Sequence, residues 1–190
     1  MTPRDSFCSL ALSSVGWTAG DADTGPLLDA LIGRLPDGTF GDRESLCARF
    51  VVGLWRRFFS RVPSYLEPPY QVGSGLRIVR HAALQYGAAR VWSGLSGPAL
   101  PLPGDVVHLR AGGGEPEHVF VAYSTQQTSS DVITYSAICG GERTVWGAET
   151  ISVERYALSV GTQQLSVGAR VVAEWYDLDA LAAGLGVKNA

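Results

Sequence analysis

Seven apolar side chains at positions 47, 50, 51, 54, 55, 58 and 59 recur at i, i+3, i+4, i+7, i+8, i+11 and i+12 without a miss. This spacing predicts a helix over residues 43–60, buried along one full face, with Arg49, Arg56 and Arg57 on the opposite side. From Asp105 the period changes to two, and candidate strands cover 105–110, 118–124, 132–138, 150–155 and 169–175. Glycine or polar turns separate them, and the short spacings make them antiparallel neighbours. Helices therefore fill the first half of the chain and strands the second, so the expected class is α+β.

Other punctuation agrees. Thr24-Gly25-Pro26 before Leu27, Leu28, Leu31 and Ile32 reads as an N-cap, a first-turn proline and an apolar stripe. Pro36-Asp37-Gly38 forces a turn. Pro63 and Glu67-Pro68-Pro69-Tyr70 make an irregular connection. A further helix is expected over 75–91 with Leu76, Val79, Ala83 and Tyr86 inward, then a loop over 94–103, and a closing helix over 177–184. There is no internal repeat, linker or charge block, so residues 1–190 read as a single domain.

Composition excludes several functions. With 46% hydrophobic and 17% charged residues the chain is globular. A net charge of −3 with 15 Lys and Arg argues against a nucleic-acid surface, which needs clustered positive charge. No stretch reaches the ~20 apolar residues of a membrane span. Phe7-Cys8-Ser9-Leu10-Ala11-Leu12 follows Arg4, but Asp5 and the serines spoil a leader, so this segment reads as mature protein made without an evident signal peptide. Cys8, Cys47 and Cys139 cannot all pair and none sits in a C-x-x-C, which leaves no zinc pattern and no disulfide framework. No cofactor or metal is expected.

Cys47 opens the most regular helix, and His118 stands on a later strand. A helix start presents unpaired N–H groups and the positive end of the macrodipole, both of which favour a thiolate. A nearby imidazole can hold the thiol proton, and the Cys47 backbone N–H can donate to an oxyanion. Most buried cysteines are merely small core residues, and the helix alone favours that reading. His118 and the hairpin that carries it shift the balance.

Pro103-Gly104-Asp105-Val106-Val107 followed by His118-Val119-Phe120-Val121 resembles the signature of the NlpC-type and CHAP (cysteine, histidine-dependent amidohydrolase/peptidase) families. Leu46-Cys47-Ala48-Arg49-Phe50-Val51 resembles their nucleophile helix, and the likeness spans roughly 42–156. It implies a papain-like domain with N-terminal helices packed on a C-terminal antiparallel sheet of about five strands. It also implies a cysteine peptidase or amidase that cuts amide bonds in bacterial peptidoglycan. Cys47 would be the nucleophile, His118 the base and the peptide stems the substrate. Such an enzyme would act in the periplasm or cell wall after export or lysis, with an immunity or delivery protein as partner. The chain departs from the family pattern at Leu46, where relatives carry a small polar residue.

The third, orienting group has two candidates. Glu142, in Ile138-Cys139-Gly140-Gly141-Glu142, stands where relatives place an asparagine. If Ser124 instead pairs with Asp131 across the hairpin loop, Ser136 becomes the polar neighbour of His118. Cys8 is a rival nucleophile, with Asp5 and Ser6 as possible caps but no matching amphipathic helix. His81 and His108 are expected at the surface, Cys139 at a buried strand end, and Trp92, Trp146 and Tyr70 in loops where they could stack on substrate. Two further classes compete: a binding or structural module on the same fold without catalysis, and a protein-directed cysteine protease or deamidase.

Overall fold

The structure is a computed structural model that describes residues 1–33, 46–67, 75–92, 100–111, 116–143, 148–160 and 165–188. Five helices come as α1 (Pro3–Leu12), α2 (Gly25–Ile32), α3 (Leu46–Phe58), α4 (Gly75–Gln85) and α5 (Leu178–Leu185). Seven strands come as β1 (Ala89–Arg90), β2 (Val106–Ala111), β3 (Pro116–Gln127), β4 (Val132–Arg143), β5 (Glu149–Val160), β6 (Leu165–Val167) and β7 (Arg170–Tyr176). The class is α+β, as the two periodicities require.

The stripe that marks α3 is buried, but so is nearly everything else on it. Eleven of its thirteen residues are buried, Arg49 included, so the helix is enclosed and not laid on one surface. Two close backbone approaches explain the enclosure. A Cβ on Gly53 would stand 2.9 Å from the Leu31 carbonyl carbon of α2 and closer still to its oxygen. On the other side, a Cβ on Gly140 of β4 would stand 2.8 Å from the Phe50 Cβ and 3.1 Å from the Leu46 carbonyl oxygen. Arg56 reaches the surface and pairs with Glu67 at 2.8 Å, and Arg57 lies over the Trp17 ring.

The N-terminal segment folds into α1 through a capping box between Thr2 and Asp5, so the N-cap is Thr2 and not Asp5 or Ser6. It buries Phe7, Cys8 and Ala11. α4 stops at Gln85, short of the expected residue 91. Gly87 takes a left-handed φ of 63° and the chain leaves as β1.

The sheet is antiparallel throughout and runs β1-β7-β2-β3-β4-β5-β6. A second pairing, β6 with β7, closes six of the strands into a ring and leaves β1 as an appendage on β7. The expected five strands become seven because β1 has two residues and β6 three, too short to show a period. β3 and β4 run twelve residues each, and their hairpin pairs Gln127 with Ile133 and Ser124 with Ser136. The expected pairing of Ser124 with Asp131 is therefore wrong. The turn sits further on, where the Thr128 and Ser129 N–H groups both donate to the Val132 carbonyl.

Strand alternation splits the interior in two. Val106, Val119, Val121, Ile138, Ile151 and Tyr176 face the helices and join their core. Val107, Leu109, Phe120, Ala122, Tyr135, Ala137 and Cys139 share the other face and fill the ring. The Gly104-Asp105 pair ties the layers together. Asp105 accepts from the Leu102 N–H at 2.9 Å, from the Leu178 N–H of α5 at 3.0 Å, and from Arg4 of α1 at 2.7 Å.

Because the obstacle at Gly53 is backbone and cannot rotate away, Gly53→Ala should destabilise the fold by about 1–3 kcal/mol in urea unfolding.

Candidate functional site

Cys47 is the second residue of α3, and only 3% of it is exposed. Its backbone nitrogen lies against β4. A Cβ on Gly141 would stand 3.7 Å from that nitrogen and 3.5 Å from the Leu46 Cβ. Gly141 itself has φ +96°, a left-handed conformation that a side chain would strain. The Gly140-Gly141 pair thus serves as the seat on which the start of α3 rests.

His118 lies on β3, the strand beside β4. The pairing nearest to it on that side is Val121 with Ile138, so His118 and Gly141 are each three residues further toward the same end of the sheet. On the other side His118 pairs with Leu109, and its ring lies 6.4 Å from that of Phe120. Its side chain therefore belongs to the ring-facing side of β3, whereas Cys47 belongs to the helix-facing core. The structure brings the two residues to one end of the sheet, but from opposite faces.

The His118 Nε2 atom is buried and makes no hydrogen bond. Burial, with the nearby positive charge of Arg170 and the second imidazole of His108, lowers its pKa from 6.5 to about 4. At neutral pH it is a neutral imidazole.

The third group is settled in one respect. Ser136 lies opposite Ser124 and Arg155, well away from His118, so it is not the orienting neighbour. Its candidacy depended on a hairpin register that the chain does not adopt. The backbone of Glu142 pairs with Thr150 past a bulge at Gly140, and its side chain lies outside the described residues. Trp146 and Tyr70 also lie outside them. Trp92, half-buried after β1, packs against the core inside the ring.

Cys8 is poorly suited to the nucleophile's part. Burial pushes its thiol up to about 11, only partly offset by Arg4. None of the three thiols forms a disulfide. Cys139 is fully buried with its sulfur 3.6 Å from the Tyr156 hydroxyl. His81 is exposed at the edge of Tyr65, as expected for a surface histidine.

His108 is not at the surface. Only 2% exposed, it sits in a polar cluster that sequence reasoning missed. Its Nδ1 shares a hydrogen bond of 2.8 Å with the Tyr176 hydroxyl and lies 3.4 Å from Glu174 Oε1. Tyr176 donates to that same oxygen at 3.1 Å, and Arg80 of α4 donates to it at 2.6 Å. Burial alone would raise the Glu174 carboxyl. The bonds from His108, Arg80 and Tyr176 outweigh it and hold the group below its ordinary value. Burial and the Glu174 charge raise Tyr176. The partners of His108 lie 66 and 68 residues away in sequence, and no local pattern points to them.

Among the described residues no group of His, Cys, Asp and Glu is placed to hold a metal ion. No helix among them is long and apolar enough to cross a membrane. Compared with protein-family models, with curated proteins and with solved structures, the chain matches none.

The low pKa of His118 has a measurable consequence. Between pH 6.5 and 4 the unfolded chain takes up this proton while the folded chain does not, so stability falls as pH is lowered through that window. The slope contributed is at most ~1.4 kcal/mol per pH unit. His118→Gln should lose this part of the acid sensitivity when denaturant unfolding is compared at pH 7, 5.5 and 4.

Proposed function

We propose that the chain is a papain-like cysteine hydrolase that cleaves amide or peptide bonds in bacterial peptidoglycan, with Cys47 as nucleophile and His118 as base. The observation that carries this reading is the docking of the start of α3 on Gly140-Gly141, at the end of the sheet where His118 stands one strand away. The order of parts supports the papain-like architecture: a thiol-bearing helix first, an antiparallel sheet with the imidazole after it, and the helix packed on that sheet.

In this reading the groups meet round the end of the sheet and not through it. The Cys47 proton passes to the unpartnered Nε2 of His118 as sulfur attacks the scissile carbonyl carbon. The early N–H groups of α3 stabilise the oxyanion. His118 then returns the proton to the leaving amine, and water releases the acyl group from sulfur. Glu142 completes the site by accepting from the imidazole. Because burial disfavours the imidazolium, His118 rests neutral and carries the proton only during reaction. The substrate is the peptide stem of the wall, met in the periplasm after export or lysis, and no cofactor enters the chemistry.

A second reading is favoured by one observation: the 3% exposure of Cys47 and the placement of His118 on the opposite face suit a module that keeps the fold without the reaction. Digestion of purified peptidoglycan separates the two. The hydrolase releases new amino groups, Cys47→Ala abolishes them, and kcat/KM shows an acidic limb near pH 4 that His118→Gln removes. Iodoacetamide should label Cys47 faster in the parent than in His118→Gln. Equal, slow labelling in both proteins and no released amine from several wall chemistries would leave the binding module standing.

A further inference from the structure

The outer edge of β5 is covered only near its two ends. At its start, segment 16–19 pairs with it: Gly16 donates to the Ile151 carbonyl at 2.9 Å, the Ile151 N–H donates to Trp17 at 3.0 Å, and Ala19 donates to Glu149 at 2.8 Å. At its finish, β6 pairs with Ser159 and Val160. Between these two attachments the edge is open among the described residues. Odd-numbered residues of β5 turn their N–H and C=O groups outward, as Ile151 does, while even-numbered ones face β4, as the bond from the Val160 N–H to Asp131 shows. The outward backbone groups of Val153, Arg155 and Ala157 pair with no strand or loop among the described residues. Their side chains are exposed too, Val153 at 44%. Arg155 forms no ion pair among the described residues.

We propose that residues 153–157 form a docking edge that takes an extended acidic peptide from a protein partner as an added antiparallel strand. This goes beyond the hydrolase reading and does not depend on it. The edge already accepts strands immediately on both sides, from segment 16–19 and from β6, so its twist and register suit a further one. A second copy of the chain is the wrong occupant. The antiparallel register that engages all three outward residues would set Arg155 opposite its own counterpart, and like charges directly opposed destabilise a pair. A carboxylate in the same position gains from the exposed guanidinium. Val153 then favours a β-branched residue beside it.

Exposed arginine on an edge has another use, to blunt it against aggregation, and the experiment separates the two. The probes are two end-capped peptides, Thr-Val-Thr-Glu-Thr-Val-Thr and the same sequence with Lys for Glu, titrated into the full chain. The acidic probe should slow amide exchange at Val153, Arg155 and Ala157 and leave Ser152, Glu154 and Tyr156, already bonded to β4, unchanged. Ala157→Pro removes one outward N–H without touching the β4 ladder. It should weaken binding roughly tenfold or more at unchanged Tm. Arg155→Glu should reverse the preference between the probes. Protection of the three amides by neither peptide overturns the proposal. So does equal binding by the proline variant, or protection that appears by self-association without peptide.

Discussion

The fold depends on α3 being gripped from two sides by backbone. Gly53 admits the Leu31 carbonyl of α2, and Gly140 admits Phe50 and the Leu46 carbonyl from the helix itself. Missing side chains at two positions, one on the helix and one on the strand, let three layers approach more closely than side-chain packing permits. Trp55, Phe50 and Leu54 are thereby sealed completely, and each contributes on the order of 1.5–3 kcal/mol by leaving water. The same grip fixes where Cys47 sits relative to β4. Whatever that thiol does, its position follows from the glycine that lets the helix down onto the sheet.

Around this centre the chain is stitched by its ends. Arg4 on α1 bonds the Pro103 carbonyl and Asp105 on the loop before β2, and Asp177 and Asp179 at the start of α5. At the other end of the helical layer, Ser60 and Arg61 donate to Gly186 and Leu185, and Lys188 to Phe58. The first and last helices therefore hold the connection that feeds β2 and β3. The Gly104-Asp105 pair, which draws the eye as a family-like signature, braces the fold. Its carboxylate is a hub with two backbone donors and one guanidinium.

Residues whose neighbours are close in sequence were legible; those whose neighbours are distant were not. The α3 stripe carried its own evidence, and the stretch from 105 onward announced an antiparallel sheet by its period. The enclosure of Arg49 was invisible, because one helix cannot show that layers press on it from both sides. β6 escaped because three residues carry no period, yet it closes the ring. The register of β3 on β4 failed by a simple physical route. Thr125, Gln126 and Gln127 are compatible with an extended strand, so the turn moved outward and took Ser136 away from His118. His108 was misplaced because alternation with Arg110 suggested a surface face, while Glu174, Tyr176 and Arg80 arrive from β7 and α4.

The two strand histidines show how environment assigns roles to identical side chains. His108 points to the helices, where a carboxylate and a phenol engage its Nδ1 and Arg80 bonds the same carboxylate. Its cluster fastens α4 to β7 through one oxygen with three donors in reach, a bracing arrangement that leaves Nε2 buried without a partner. His118 points into the ring, where Phe120 and Leu109 offer nothing polar and a positive neighbourhood discourages protonation. The first imidazole is held by a carboxylate but walled in. The second is neutral, unpartnered at Nε2 and close to the rim on which α3 begins. Both imidazoles keep a buried Nε2 without a hydrogen bond, so what separates them is their surroundings: a carboxylate and a phenol at His108, an aromatic ring and positive charge around His118.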